Sequence, residues 1–409
     1  MKYIDLPRLP AMLLLAACFG LPSVSALAQK KYDAGATDTE IKLGNIMPYS
    51  GPASSFGVIG KTEAAYFNKI NAEGGINGRK LNFITYDDAY SPPKAVEQAR
   101  KLVESDEVLF IFDPLGTPSN GAIQKYLNSR KVPQLFLASG ASKWGDPAHF
   151  PWTMGWQPSY LSEARIYAKY VLTNKPDAKI AMLSGTDDAA KDWIKGLKEG
   201  LGAMSTMIVA EKTFEVTDPT IDSQIVALRS SGADILFLWA SPKAAAQAIR
   251  RVAELGWTPQ MYLPNASSSI AAVLKPAGLD QSKGVISTAF LKDATDPRWD
   301  HDKGVSDWRA FMEKYYPEGD RANSGTVFGY AVAQTVVEVL KRCGDDLTRA
   351  NVMTQAAGLK NLKLDILLPG ITIDTSPTDF YPIEQMQLVQ FDGTSWQLIG
   401  EVIEGAPRN

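Results

Sequence analysis

Imidazoles and thiols are scarce in this sequence. Its 409 residues include two histidines and two cysteines. That set cannot build a disulfide framework and is too small for a zinc or iron–sulfur site, so no metal or other cofactor is expected. A surplus of one charge is missing as well. Lys and Arg number 42 against 45 Asp and Glu, a net charge of −3, with no basic stripe to suit nucleic acid. There is no G-x-S-x-G elbow and no G-x-G-x-x-G turn. Gly60-Lys61-Thr62 ends like a phosphate-binding loop, but Ser55 stands where that loop needs its first glycine. His149 and His301 both fall in loop-like stretches and read as surface residues rather than general bases. The acidic loop around His301 carries Asp296, Asp300 and Asp302. Gly304 and Val305, however, stand where a calcium loop needs a ligand and a glycine.

The apolar run Leu9–Leu21, thirteen residues long, falls short of the roughly twenty that a membrane span needs. It lies behind Lys2 and Arg8 and ahead of Pro22 and Ala26-Leu27-Ala28. This reads as a secretory signal peptide over residues 1–28, cut before Gln29. A rival reading takes Leu15-Ala16-Ala17-Cys18 as a lipoprotein box with Cys18 lipidated. Both place the mature chain outside the cytoplasmic membrane, in the periplasm. Cys343 then remains as the sole thiol, expected to be a half-buried residue near a helix end.

What is present is an ordinary globular composition, 45% hydrophobic and 21% charged, long enough for two or three domains. Short apolar runs at Ile41–Met47, Leu81–Tyr86, Val108–Phe112 and Gln134–Ala138 alternate with helical patterns. Near-continuous apolar strands of this kind belong to a parallel sheet covered on both faces. An aromatic, Pro-containing pause at His149–Tyr160 is followed by a second series, with strands at Ile180–Leu183, Met207–Ala210, Ile235–Trp239 and Met261–Leu263. The fold class is therefore α/β, with two doubly wound units. Later come a β-rich run at Val285–Leu291, three helical patterns between Val305 and Ala357, and two hairpin-like segments at Ile371–Asp374 and Met386–Ile399. Asp392-Gly393 marks the turn of the second hairpin.

Three strand ends lead into small polar loops: Ser50–Gly57, Leu115–Asn120 and Ala138–Ser142. Ligands of open α/β sheets bind at the carboxyl ends of strands. Free N–H groups and hydroxyls there suit a carboxylate or phosphate. Ordinary caps and turns would give the same composition.

At these loops the chain resembles a known family. Ile41–Glu104, with its Ser50-Gly51-Pro52 turn, the NAEGGINGR segment Asn71–Arg79 and Tyr86-Asp87-Asp88, is similar to the periplasmic leucine/isoleucine/valine-binding proteins of ABC importers. The likeness continues through Val132-Pro133, Ser139–Ser142, Lys179–Leu201 and Gly325–Leu340, essentially the whole mature chain. It implies a type I periplasmic binding protein with two lobes joined by a three-crossing hinge near residues 155, 288 and 369. Lobe 1 would comprise 38–155 and 289–369, and lobe 2 would comprise 156–288 and 370–409. It implies closure over a small solute in the manner of a flytrap, docking on an ABC permease, and no catalysis. A monomer is expected.

The resemblance also implies a site. Phe56 stands where the family has an aromatic wall, Gly116 or Thr117 where it uses a serine, and the Gly140 N–H and Ser142 where it grips the solute's carboxylate. The second lobe departs from the family. Ala189 and Ser241 replace two tyrosines, and Asn265 replaces the acid that pairs with an amino acid's ammonium. A buried ammonium without a carboxylate costs several kcal/mol. The expected ligand is therefore a carboxylate-bearing solute lacking an α-ammonium, aromatic or aliphatic, with Trp239, Trp144 and Trp156 as candidate stacking walls. Asp187 or Asp188 would serve an amino acid instead. A ligand-sensing receptor module and a secreted α/β hydrolase are the alternative functions. The absence of an elbow argues against the hydrolase, and the lack of a membrane-spanning run after residue 357 argues against the receptor.

Overall fold

The computed structural model describes residues 1–3 and 30–405. Apart from its first three residues, the expected leader lies outside the described residues, and so does Cys18. The first element is a two-residue β1 (Lys31–Tyr32). A five-stranded parallel sheet follows, built from β2 (Glu40–Met47), β3 (Lys80–Asp87), β4 (Phe110–Phe112), β5 (Gln134–Leu137) and β6 (Thr153–Gly155) in the order β3-β2-β4-β5-β6. β4 and β5 are buried throughout, as their apolar sequence requires; the one polar residue, Gln134, donates to Asn120 Oδ1 at 2.8 Å. The connecting helices show the matching stripe. On Pro92–Glu104 the buried residues are Ala95, Ala99 and Leu102, one face of a helix opened by proline.

The second sheet holds β7 (Ile180–Ser184), β8 (Ile208–Thr213), β9 (Ile235–Trp239), β10 (Gln260–Tyr262) and β11 (Ile286–Ala289), all parallel. Aromatic side chains fill the space between β9 and its helices. Trp193 stacks on Trp239 at 5.4 Å and meets Phe237 at 5.3 Å.

Three helices come next: Lys303–Tyr315, Ser324–Cys343 and Arg349–Ala356. Ser324–Cys343 returns to the helix Val58–Ala72 of the first sheet. A Cβ on Gly329 would lie only 2.7 Å from the Ile59 carbonyl oxygen, so glycine there allows the close approach. Tyr66 meets Phe311 and Tyr330 edge-on across the same contact. β12 (Asp346–Leu347) pairs in parallel with β1. The chain then crosses back, and β13 (Gln385–Phe391) and β14 (Trp396–Glu404) extend the second sheet as an antiparallel hairpin on β11. Its turn holds Gly393 at φ 108°, with Asp392 accepting from the N–H groups of Thr394 and Ser395. Ile371–Asp374 does not become a strand. It makes a single bridge, Leu362 to Ile373, while Ile371 and Ile373 are buried from a loop.

Two of the passages between the sheets run side by side. Lys292 N–H donates to Ile366 O at 3.0 Å and Leu368 N–H to Phe290 O at 2.9 Å. Trp156, on the first passage, packs edge-on against Phe290 and Phe328 and donates its indole N–H to Thr335 at 3.1 Å. No helix among the described residues is long and apolar enough to cross a membrane.

Candidate functional site

A cleft of about 420 Å³ opens between the two sheets, at the carboxyl ends of their strands. Small-molecule sites typically occupy roughly 300–1,000 Å³. One wall carries Phe56, Tyr90, Leu115, Gly116 and Thr117; the other carries Asp187, Ala189, Phe214, Trp239, Ser241 and Asn265. The lining is mainly aromatic and aliphatic.

Six of the eight residues expected from sequence line this cleft: Phe56, Gly116, Thr117, Ala189, Ser241 and Asn265. Phe56 sits in a 3-10 turn, Ser54–Gly57. Gly116 has φ 96°, and a Cβ on it would lie 2.5 Å from the Tyr90 ring. Glycine is required there because the tyrosine covers it. The Thr117 hydroxyl is shared with Ser139 at 2.6 Å. Ser241 caps the helix Pro242–Glu254 without spending its hydroxyl on a cap hydrogen bond.

The other two, Gly140 and Ser142, do not line the cleft. Gly140 packs under Pro158 and Tyr160, leaving no room even for a Cβ. The Ser142 N–H and hydroxyl both donate to the Asp192 carboxylate, the latter at 2.9 Å, and Tyr381 donates to the Ser142 carbonyl. The anion on this loop is thus supplied by the protein itself, from the helix Asp188–Leu201 of the other lobe. The Ser50 loop behaves alike. Asp87 accepts from the N–H groups of Tyr49 and Ser50 and from the Ser50 hydroxyl. Lys143, paired with Asp188 at 3.3 Å, adds a second interlobe contact beside Ser142.

Of the three tryptophans expected as walls, only Trp239 lines the cleft. Trp144 is buried with its indole N–H on Ser139 at 2.8 Å, and Trp156 is the hinge residue described above. Asp187 lines the cleft and caps its helix by accepting from Ala190 N–H at 2.9 Å; burial raises its pKa. Asp188 is drawn away to Lys143 and Lys191, which lower its pKa. Neither histidine is in the lining, and His149 pairs instead with Asp146 at 2.8 Å. Asp296 and Asp302 cap helices, and Asp300 pairs with Arg309. Cys343 is buried, which pushes its thiol up to about 12.

Sequence reasoning missed several wall residues. Tyr90, at φ 59°, is aimed by Asp88, which accepts its N–H at 2.9 Å. Tyr160 meets Trp239 edge-on at 4.7 Å. Phe328, Trp299, Trp396 and Arg321 come from the late segments. Behind the wall lies a further acid, Glu163, fully buried. It accepts from Asn265 N–H at 2.6 Å and Thr288 hydroxyl at 2.7 Å, while the Tyr167 hydroxyl, 3.2 Å away, donates to Leu263 O at 2.6 Å. Burial lifts it to about 7, against those donors. Asn265 itself donates its side-chain amide to Thr288 O at 2.6 Å.

Two α/β lobes with a ligand-sized cleft between them define a solute-binding protein of the two-lobed type. The model of the periplasmic binding protein family matches residues 40–395, and the chain belongs to that family. The Leu/Ile/Val-binding protein homolog 2 of Brucella abortus is 22% identical over 338 residues, covering 81% of this chain and 87% of that one. Among solved structures, the branched-chain amino acid ABC transporter protein of Thermus thermophilus with bound valine superposes with a TM-score of 0.82. It is 15% identical and covers 90% of this chain and 97% of that one. The fatty acid ABC transporter substrate-binding protein of Thermomonospora curvata gives 0.76 at 20% identity, over 92% and 95%. These superpositions establish the shared fold.

Proposed function

We propose that this protein is the extracytoplasmic solute-binding component of an ABC importer. It closes its lobes over a carboxylate-bearing solute without an α-ammonium and hands it to a permease in the cytoplasmic membrane. The observation that carries this reading is the second wall of the cleft, where Ala189, Ser241 and the neutral Asn265 stand among apolar side chains. An ammonium beside Asn265 would lack the carboxylate that its burial requires, and the acid elsewhere in this wall, Asp187, is engaged in capping its own helix at Ala190 N–H. Glu163, the acid behind Asn265, already accepts from the Asn265 N–H and the Thr288 hydroxyl. The names of similar proteins cover leucine-type amino acids and a fatty acid, so both ligand classes occur on this fold. We further propose the lobe boundaries 38–155 with 289–369 and 156–288 with 370–409, a monomer, and export through the leader at 1–28.

A thermal-shift screen tests the ligand class. Aromatic and short aliphatic acids are set against leucine, isoleucine and valine. A ligand at a hundredfold excess over its Kd stabilises by about 2.7 kcal/mol, which is readily seen as a rise in Tm. Acids are expected to raise it and leucine to leave it unmoved. A large rise with leucine and none with the acids would refute the proposal.

A further inference from the structure

We infer that Arg321 receives the solute's carboxylate, from a loop distinct from the three strand-end loops that the sequence points to. The inference rests on the carboxylate-bearing solute proposed above. Two basic side chains line the cleft, Lys292 and Arg321. Lys292 is buried and spent: its ammonium lies 2.7 Å from Asp302 and donates to Asp365 O at 2.6 Å. Arg321 is exposed to the cleft and has no ion pair or hydrogen bond among the described residues.

The neighbours of Arg321 bridge the lobes. Ala271 N–H donates to Ala322 O at 3.1 Å, and the Ser269 hydroxyl to Asn323 Oδ1 at 3.3 Å. Lobe contact therefore fixes the backbone on which the guanidinium is carried. Of the three strand-end loops, Asp192 fills the Ser142 loop and Asp87 the Ser50 loop, while in Leu115–Asn120 the Thr117 hydroxyl is paired with Ser139 and the Ser119 hydroxyl donates to Asp88. Near Tyr90 the wall presents Asp187, and Glu215 is also in the lining; both repel an anion. Asp293, in the lining too, has its oxygens engaged by Thr295 and Trp396. A guanidinium with all its donors free is suited to bidentate capture of a carboxylate.

The test compares acids with their uncharged primary amides: benzoate, phenylacetate and hexanoate, titrated calorimetrically into the full chain. Wild type should prefer the acids. Arg321→Gln should weaken acid binding roughly tenfold to hundredfold, the range of a charged hydrogen bond, while sparing the amides. Arg321→Lys should restore part of the preference. Arg130→Gln, an exposed charge loss outside the cleft, should bind as wild type. Unchanged acid binding in Arg321→Gln, or an equal loss in Arg130→Gln, overturns the inference alone. A wild type that binds leucine and none of the acids overturns the function reading beneath it.

Discussion

Raising the pH should destabilise this protein through one buried carboxyl, Glu163. Burial lifts its pKa from 4.5 to about 7, even though Thr288 and Asn265 both donate to its charged form. The folded chain thus holds this proton more tightly than the unfolded chain. Below about pH 4.5 both states are protonated and the stabilisation is complete; between there and about 7 the folded state carries the extra proton, and stability falls as pH rises through that window. The full difference is about 3 kcal/mol, a large part of a typical folding free energy. Glu163→Gln mimics the protonated acid. Its amide oxygen can still accept from Asn265 and Thr288, and it cannot ionise. Urea unfolding followed by circular dichroism at pH 5 and pH 8 should show wild type losing about 2.5 kcal/mol more than the variant, since part of the full difference is already gone at pH 5. Other titrating groups are common to both chains and cancel in the comparison. Parallel pH profiles would refute the reasoning, because they would mean that Glu163 is charged in the folded state across the range.

Two further perturbations probe other parts of the same structure. Glu63 and Asp113 are fully buried carboxyls with no hydrogen-bond donor from the rest of the described chain, and burial together with their mutual repulsion holds Glu63 well above the usual range. Wild type should therefore show the infrared band of a protonated carboxyl at pH 8, missing from Glu63→Gln/Asp113→Asn; no band in wild type would mean that both are ionised. Asp192→Ala removes the two hydrogen bonds from Ser142 that join the lobes. Opening should become easier and solute binding roughly fivefold weaker, read by calorimetry and by a larger radius of gyration in solution scattering. Tighter binding in the variant would show that Asp192 competes with the solute for the Ser142 loop.

Much of the fold was legible because burial on both faces writes a strand into sequence without help from its partners. Phe110–Phe112 and Ile235–Trp239 are apolar at every position, and all eight residues are buried. Helix faces were legible where small apolar residues recur at helical spacing, as on Pro92–Glu104. Ile371–Asp374 misled for an instructive reason. Its alternating Ile371 and Ile373 are buried, as in a strand, but burial of a side chain does not require a ladder. The docking of Ser324–Cys343 onto Val58–Ala72 was hidden from periodicity. It depends on Gly325 and Gly329 meeting residues more than 250 positions away, and an apolar stripe does not name its partner.

The site was legible in its positions and illegible in its chemistry. Phe56, Gly116, Thr117, Ala189, Ser241 and Asn265 reach the cleft because strand ends in a doubly wound sheet converge there whatever they bind. Which donors remain available there is another matter. Ser142 and Asp192 are 50 residues apart, and Ser50 and Asp87 are 37 apart, so nothing local marks those hydroxyls and amides as already satisfied. Small polar residues identify atoms able to bind an anion, while only the folded chain decides which of them the protein has left unbound. The converse holds for Arg321. Flanked by Asp320 and by the capping sequence Asn323-Ser324, it reads as a solvated helix-start residue. Its importance emerges by subtraction, once the carboxylates of Asp87, Asp192 and Asp302 have claimed their donors and leave one cation in the cleft wall without a partner among the described residues.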